Sequence, residues 1–283
     1  MNNRPLVSVN IPTYNAARTL EKCLAHIANQ QYPNIEIVII DSESTDATLE
    51  IVGRYQARVL KAGDLADARK VGVLGSKGDY VYFLDADQYI EPDLIAECVK
   101  ECEQNGYDAV TFVERQVIHS DTYFQRLLDY DKWVFHFAED DDPISGDAIP
   151  RFFRRSILLN ITWPENLYAI EHNIIYHQAV KQGAKVKFRK DLSFLHDDSI
   201  NTYSKFIRNF YTHGKSYVTA LKQDRELVLS HSLPRRSYFS KRAFSKPLYW
   251  PGLILLYVTK GLAAGCGVVS YLLSGGKFKR GKV

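Results

Sequence analysis

The sequence predicts an α/β protein: a mixed, mainly parallel sheet flanked by helices, followed by a carboxyl-terminal helical appendage that associates with a membrane. Three observations predict it. The first third of the chain alternates short apolar runs with segments of helical periodicity, the signature of successive βα units. One of those runs, residues 35–40, sets five branched apolar residues around a single glutamate, too continuous for a sheet with one wet face. The last third is basic and holds two long uncharged stretches.

Taken in order, residues 6–11 read as the first strand. A helix follows from about Ala17, with Leu20, Leu24 and Ile27 on one face. The Tyr32-Pro33 step ends it, because the residue before a proline is pushed out of helical backbone. Residues 35–40 form a second strand, expected in the sheet centre. Ser44 or Thr45 caps a helix carrying Leu49 and Val52. Val59 and Leu60 mark a short third strand, residues 66–74 a helix, and residues 80–84 a fourth strand running directly into Asp85-Ala86-Asp87. Residues 94–104 read as helix and 108–113 as strand. From 116 to 150 the pattern weakens into an aromatic and acidic stretch through Trp133, Phe135, Phe137 and residues 139–142. Residues 172–182 return as a helix closed by Gly183, and residues 185–189 as a strand.

A chain of 283 residues with 46% hydrophobic and 12% aromatic content buries a sizeable core and sits at the upper edge of one domain. One main domain over residues 1–200 and an appendage over 201–283 are therefore expected. The cysteines Cys23, Cys98, Cys102 and Cys266 have no zinc-site spacing and read as buried thiols of a reducing compartment, without disulfides. Residues 1–4 carry no apolar stretch before the first strand, so no secretory signal peptide is expected and the main domain belongs on the cytosolic side. The net charge of +3 conceals an asymmetry. Residues 201–283 hold 15 Lys/Arg against Asp224 and Glu226 alone, while the first 200 hold 21 basic and 31 acidic residues. The two parts face different surroundings.

In open α/β sheets ligands bind where strands end, and three strand ends here carry aspartate. Asp41 follows the second strand, Asp64 and Asp67 the third, and Asp85 and Asp87 the fourth. Two carboxylates two residues apart suit a hard divalent cation that takes further oxygens from a diphosphate. Alone, Asp-x-Asp also describes a solvated turn.

Four motifs together are more specific. Pro12-Thr13-Tyr14-Asn15, Ile39-Ile40-Asp41-Ser42-Glu43-Ser44-Thr45-Asp46, Ala68-Arg69-Lys70-Val71-Gly72 and Phe83-Leu84-Asp85-Ala86-Asp87 stand in the order and spacing of family 2 glycosyltransferases, which the chain resembles across residues 7–95. The resemblance implies a GT-A (Rossmann-like) fold, with residues 1–115 binding a nucleotide sugar and 116–200 facing the acceptor. It also implies that Pro12, Tyr14 and Asn15 frame base and ribose and that Asp41 hydrogen-bonds the base. Asp64 or Asp67 would lie beside base or ribose, Arg69 would approach the donor, and Asp85, with Ala86, and Asp87 would hold ribose and a Mn²⁺ or Mg²⁺ ion. Asp87 is the best metal ligand. Ser42-Glu43 stands where a second aspartate and a glycine are common, and Lys70 where asparagine is common, so UDP-type and GDP-type donors both remain open.

An inverting transfer needs a base opposite the leaving group, and a carboxylate of tuned pKa is the usual choice. The family places a Glu-Asp pair at the start of the helix after the acceptor region. Here the pair is Glu171-His172, so either residue is the candidate base; histidine can act near neutral pH. His196 ends the next strand, where relatives carry a histidine that approaches the metal. Arg154 and Arg155 follow Phe152-Phe153, where the family has an aromatic and a basic residue near acceptor or diphosphate. By the same likeness Gly146 and Asp147 fit an acceptor loop.

In the appendage, residues 247–259 and 261–274 are uncharged and separated by Lys260. Each half is shorter than the about 20 residues that span a bilayer. Joined, they would place Lys260 mid-membrane at about 2.5–3.5 kcal/mol. Basic residues flank both ends: Arg235, Arg236, Lys241, Arg242 and Lys246 before, Lys277, Lys279, Arg280 and Lys282 after. A re-entrant or in-plane helical pair broken at Pro251, Gly252, Gly261 or Gly265 satisfies both flanks and is the expectation, ahead of a single span and of a buried core helix pair or homo-oligomer interface. Residues 203–221 interleave Lys205, Arg208 and Lys215 with Phe206, Phe210, Tyr211 and Tyr217. Beside an apolar segment this fits a lipid headgroup or lipid-linked phosphate better than nucleic acid. The expectation is an inverting, metal-dependent hexosyltransferase at the cytoplasmic face of a membrane. It would pass a sugar to a membrane-held, lipid-linked glycan acceptor. The alternatives are a polyprenyl-phosphate sugar synthase and an inert membrane-tethered nucleotide-binding scaffold.

Overall fold

A computed structural model describes residues 4–137, 150–167, 169–198, 200, 202–231, 241 and 243–275. Gly146, Asp147, the acidic residues 139–142 and most of the basic flanks lie outside the described residues.

Eight strands form one mixed sheet in the order β3-β2-β1-β4-β7-β6-β8-β5. The amino-terminal half is parallel. β1 (Val7–Thr13) lies between β2 (Ile35–Asp41) and β4 (Tyr80–Phe83), and β3 (Ala57–Lys61) closes the edge beside β2. β2 is therefore interior but one strand from the edge, not central. Between these strands run α1 (Leu20–Ala28), α2 (Thr48–Val52) and α3 (Leu65–Gly75). The other half mixes directions. β7 (Phe152–Arg154) is antiparallel to both β4 and β6 (Ala109–Gln116), and β8 (Val186–His196) runs parallel to β6. The short β5 (Gln88–Ile90) returns antiparallel onto β8 with Gln88 opposite His196.

Alternation along the strands fills both faces. Val7, Val9 and Ile11 of β1 join Leu20, Cys23, Leu24 and Ile27 of α1 and Leu94, Ile95 and Cys98 of α4 (Leu94–Asn105) on one side. On the other, Val38 and Ile40 pack on Ala68, while Val81 and Phe83 meet Phe153 and Ile175. Gly72 is required by close approach: a Cβ there would stand 2.8 Å from Asn10 Nδ2 and 3.0 Å from Ile40 Cδ1. α3 thus lies flush on the sheet, which sends Arg69 toward the end of β4. The N-cap of α2 is Ala47, not Ser44 or Thr45, and no side chain caps the helix; just ahead of it Asp46 Oδ1 accepts Thr48 N at 3.0 Å.

The weakly patterned stretch contains α5 (Tyr123–Phe137). Next come α6 (Arg155–Leu158) and α7 (Glu171–Lys181), then α8 (Tyr203–Gln223), α9 (Arg225–His231) and α10 (Trp250–Leu273). The expected helical pair is one unbroken helix. Pro251 sits in its first turn, where the missing N–H has no intrahelical partner to lose. Gly261 and Gly265 lie within it without ending it, and residues 247–273 are long and apolar enough to cross a membrane, with only 28% of the apolar window buried. α8 and α10 touch backbone to backbone, since a Cβ on Gly214 would lie 2.0 Å from Ala264 O and one on Gly267 2.1 Å from Tyr211 O. The appendage is packed onto the main domain through α5: Leu127, Leu128 and Val134 share a core with Phe206, Leu253 and Leu256. Cys23, Cys98 and Cys102 are buried, but Cys266 is exposed on α10, against expectation.

Candidate active site

The carboxyl ends of β1, β2 and β4 open on one edge of the sheet, and their loops are stitched together. Asp41, buried at the end of β2, accepts Thr13 Oγ1 at 2.9 Å, Ser44 N at 2.9 Å and Ser44 Oγ at 2.6 Å. Asn15 adopts φ 48°, a left-handed backbone asparagine tolerates, and accepts Thr45 N on Oδ1 at 2.8 Å. Thr13 and Asn15, in the segment that also carries Pro12 and Tyr14, therefore join the loop after β1 to the loop after β2 as one rim beside Asp41. Asp64 and Asp67 cap the start of α3 reciprocally: Asp64 Oδ1 accepts Asp67 N at 2.9 Å and Asp67 Oδ2 accepts Gly63 N at 2.8 Å.

Beneath that rim two guanidinium groups close on one carboxylate. Arg69, only 1% exposed, ion-pairs with Asp85 and lies 2.7 Å from His172 Nε2. Arg151 Nη1 donates to Asp85 Oδ2 at 2.8 Å and stands 3.4 Å from the same histidine nitrogen. Gln88 Nε2 donates to Asp85 Oδ2 at 2.8 Å and completes the clamp. Nε and Nη1 of Arg69 are buried with no hydrogen-bond partner among the described residues. Buried cationic donors left open in this way suit an anionic ligand.

Asp87 turns the other way. Its Oδ1 stands 3.3 Å from His196 Nε2, and its carbonyl accepts Asp197 N at 2.8 Å through the β5–β8 pairing. His196 Nδ1 is 2.7 Å from Glu114 Oε1 on β6. Asp85, Asp87 and His196 do not converge as three ligands. Among the described residues no group of three or more His, Cys, Asp or Glu is arranged to hold a metal, because Asp85 is turned to the arginines. Asp87 and His196 are the pair brought together.

The profile of Glycosyl transferase family 2 matches residues 8–180, more than half of the chain and all of this site up to α7. The chain belongs to that family. Over 128 residues this glycosyltransferase is 32% identical to the hyaluronan synthase of Pasteurella multocida, a match that covers 43% of this chain and 13% of that protein. Two solved structures share the GT-A fold. The Staphylococcus aureus TarS 1-349 in complex with UDP matches with TM-score 0.58 and 19% identity, over 97% of this chain and 93% of that one. The mannosyltransferase PcManGT from Pyrobaculum calidifontis, in complex with GDP-Man and Mn²⁺, matches with TM-score 0.58 and 21% identity, over 97% and 80%.

The family 2 glycosyltransferase carries Glu171 and His172 at the first turn of α7, across from the arginines. Ile170 before them has φ 65°, a strained setting for a β-branched residue of the kind found at functional sites. Burial pushes the Glu171 carboxyl up despite the nearby Arg69. Burial, then Arg69 and Arg151, hold the His172 imidazole well below its usual value, so it is neutral and its Nε2 serves as acceptor. Burial alone would raise Asp85, but Arg69 and Arg151 hold it well below the usual carboxylate range. Burial opposes charge on His196, yet Glu114 and Asp87 on its two nitrogens together outweigh it and raise the ring to about 10.

Arg154 and Arg155 point away from this cleft. Arg154 pairs with Asp108 at 3.3 Å and lies over the Tyr80 ring, and Arg155 Nε donates to Val73 O at 3.0 Å. From this segment the arginine that joins Arg69 in the cleft is Arg151, three residues before Arg154. Gln88 and Glu114 were equally unmarked in the sequence: each acts through strand pairing between distant segments, which no local motif announces.

Proposed function

We propose that this family 2 glycosyltransferase is an inverting enzyme that moves a sugar from a UDP- or GDP-type donor to a membrane-held, lipid-linked acceptor. The observation that carries the proposal is the buried Arg69–Asp85–Arg151 clamp with two open donors on Arg69. A departing nucleotide diphosphate gains negative charge, and fixed guanidinium groups in a dry cleft stabilise it without reorganising. Asp41, Tyr14, Asn15 and Pro12 would receive base and ribose, with Asp64 or Asp67 beside them.

Asp87 and His196 fit a divalent cation. An oxygen and an imidazole nitrogen 3.3 Å apart suit neighbouring positions around Mn²⁺ or Mg²⁺, and Glu114 on Nδ1 orients the ring, as a carboxylate bonded to the far nitrogen of a ligating histidine does. Such an ion would share the diphosphate charge with the arginines.

Glu171 is the base in this reading. His172 already offers Nε2 to two guanidinium groups, so a proton there would set three cations together, whereas a carboxyl tuned upward by burial matches a base working near neutral pH. It would take the proton of the acceptor hydroxyl as that oxygen attacks the anomeric carbon.

The exposed apolar side of α10, with Ile254 at 64% and Leu262 at 67%, supports a membrane setting. Lys260 does not interrupt it, because its ammonium turns inward to Asp131 Oδ2 at 2.7 Å. The test is release of UDP or GDP from candidate nucleotide sugars with Mn²⁺ and a lipid-linked acceptor, followed by flotation with anionic vesicles. Nucleotide binding without sugar transfer, unchanged in Glu171→Gln, would reduce the protein to a scaffold.

A further inference from the structure

The ring of His196 is oriented by a chain of charges that begins on α5, outside the segments that match the family motifs. Glu114 Oε1 faces His196 Nδ1 at 2.7 Å and, with the same oxygen, accepts Lys132 Nζ at 2.6 Å. Lys132 reaches further, to Asp198 Oδ2 at 3.3 Å, and Asp198 Oδ1 accepts Gln116 Nε2 at 3.0 Å. Lys132, Glu114 and Asp198 are each mostly buried, so this ammonium is enclosed between two carboxylates. One helix position earlier, Asp131 accepts Lys260 Nζ at 2.7 Å and Tyr257 Oη at 3.1 Å from α10. α5 is thus fixed on one side to the apolar helix and on the other to the site.

We propose that Lys132 is a positioning residue for the cation site: it pins Glu114 against His196 so that Nε2 stays aimed at Asp87. The proposal rests on the reading of Asp87 and His196 as metal ligands. Glu114 and Asp198 both bear on the Lys132 ammonium, at 2.6 Å and 3.3 Å, and two carboxylates gathered this closely would repel each other without it. Lys132 offsets that repulsion and holds both. A cation bound by few protein ligands depends strongly on their orientation, and removing outer partners of this kind costs about 10- to 100-fold in metal affinity.

The experiment titrates Mn²⁺ alone into the full chain and reads the free ion by electron paramagnetic resonance. It compares Lys132→Met, Lys132→Arg, Glu114→Gln, the Lys132→Met/Glu114→Gln double variant and Asp87→Ala. Lys132→Met and Glu114→Gln are each expected to weaken Mn²⁺ binding about 10-fold or more, and Lys132→Arg to recover most of it. Because Lys132 acts through Glu114, the double variant should bind no worse than Glu114→Gln alone. Glu114→Gln is close to isosteric and, as the double variant, also removes the repulsion, so the comparison survives if Lys132→Met alone does not fold. Wild-type affinity in Lys132→Met, or losses that add in the double variant, would overturn the role of Lys132. Wild-type affinity in Asp87→Ala would instead overturn the metal reading and this inference with it.

Discussion

Asp87 and His196 face each other, Oδ1 to Nε2 at 3.3 Å, because β5 folds back onto β8 with Gln88 opposite His196. A three-residue strand therefore joins the loop after β4 to the end of a strand more than a hundred residues later. Replacing either partner removes half of the pair. Asp87→Ala and His196→Ala are each expected to lower kcat by about 100-fold or more, as loss of one charge-stabilising group does. Donor turnover at saturating Mn²⁺ checks it.

Arg69 is buried against Asp85, so removing the cation leaves a carboxylate with half its compensation. Arg69→Met should cost roughly 3 kcal/mol of stability, the scale for breaking a buried pair. Denaturant unfolding measures it. The sign with pH follows from the depressed carboxyl of Asp85, where Arg69 and Arg151 outweigh burial. The pair's stabilisation is fully present above the ordinary aspartate value and is lost as pH falls through the lower folded one. In Arg69→Met much of that acid-side loss should disappear.

Glu171 has its carboxyl raised by burial, and a base must be deprotonated to act. Transfer should therefore be present above the raised value and fall as pH drops through it, at a pH above the ordinary glutamate range. Glu171→Gln should lose about 100-fold or more in kcat, within the usual contribution of a general base. His172→Asn should keep the acidic limb of the pH–kcat profile, since its ring is already neutral there.

Asp131 binds Lys260 and Tyr257 where α5 meets α10. Asp131→Ala strands an ammonium among Phe206, Phe210 and Tyr257 and should destabilise by about 3 kcal/mol. Asp131→Leu/Lys260→Met, which removes both charges, should recover most of that loss. Thermal unfolding of the two variants separates the outcomes.

The parallel half of the fold was legible because β1 alternates apolar residues, β2 and β4 are almost wholly apolar, and all three run into motif residues. The short strands β5 and β7 span three residues each, too few to show a period, and exist only through their partners. α5 hid for another reason. Its stripe of Phe124, Leu127, Leu128 and Val134 is interrupted at Asp131, and a carboxylate on a buried face makes sense only once Lys260 is placed beside it. The same contact gives Lys260 a partner inside one continuous helix, so the pair expected to break at Pro251, Gly252, Gly261 or Gly265 is a single α10. In the site, Asp85, Asp87 and Arg69 were readable from motif spacing. Arg151 was not, since it follows an unpatterned stretch and reaches Asp85 across the β4–β7 pairing.

The most direct measurement is calorimetric binding of UDP and of GDP to the full chain, with and without Mn²⁺, in the unaltered protein, Arg151→Met and Asp87→Ala. The account predicts that one nucleotide binds, that Mn²⁺ tightens it, that Arg151→Met weakens it in either condition, and that Asp87→Ala abolishes only the Mn²⁺ effect. Nucleotide affinity indifferent to Arg151, with a Mn²⁺ effect intact in Asp87→Ala, would contradict it.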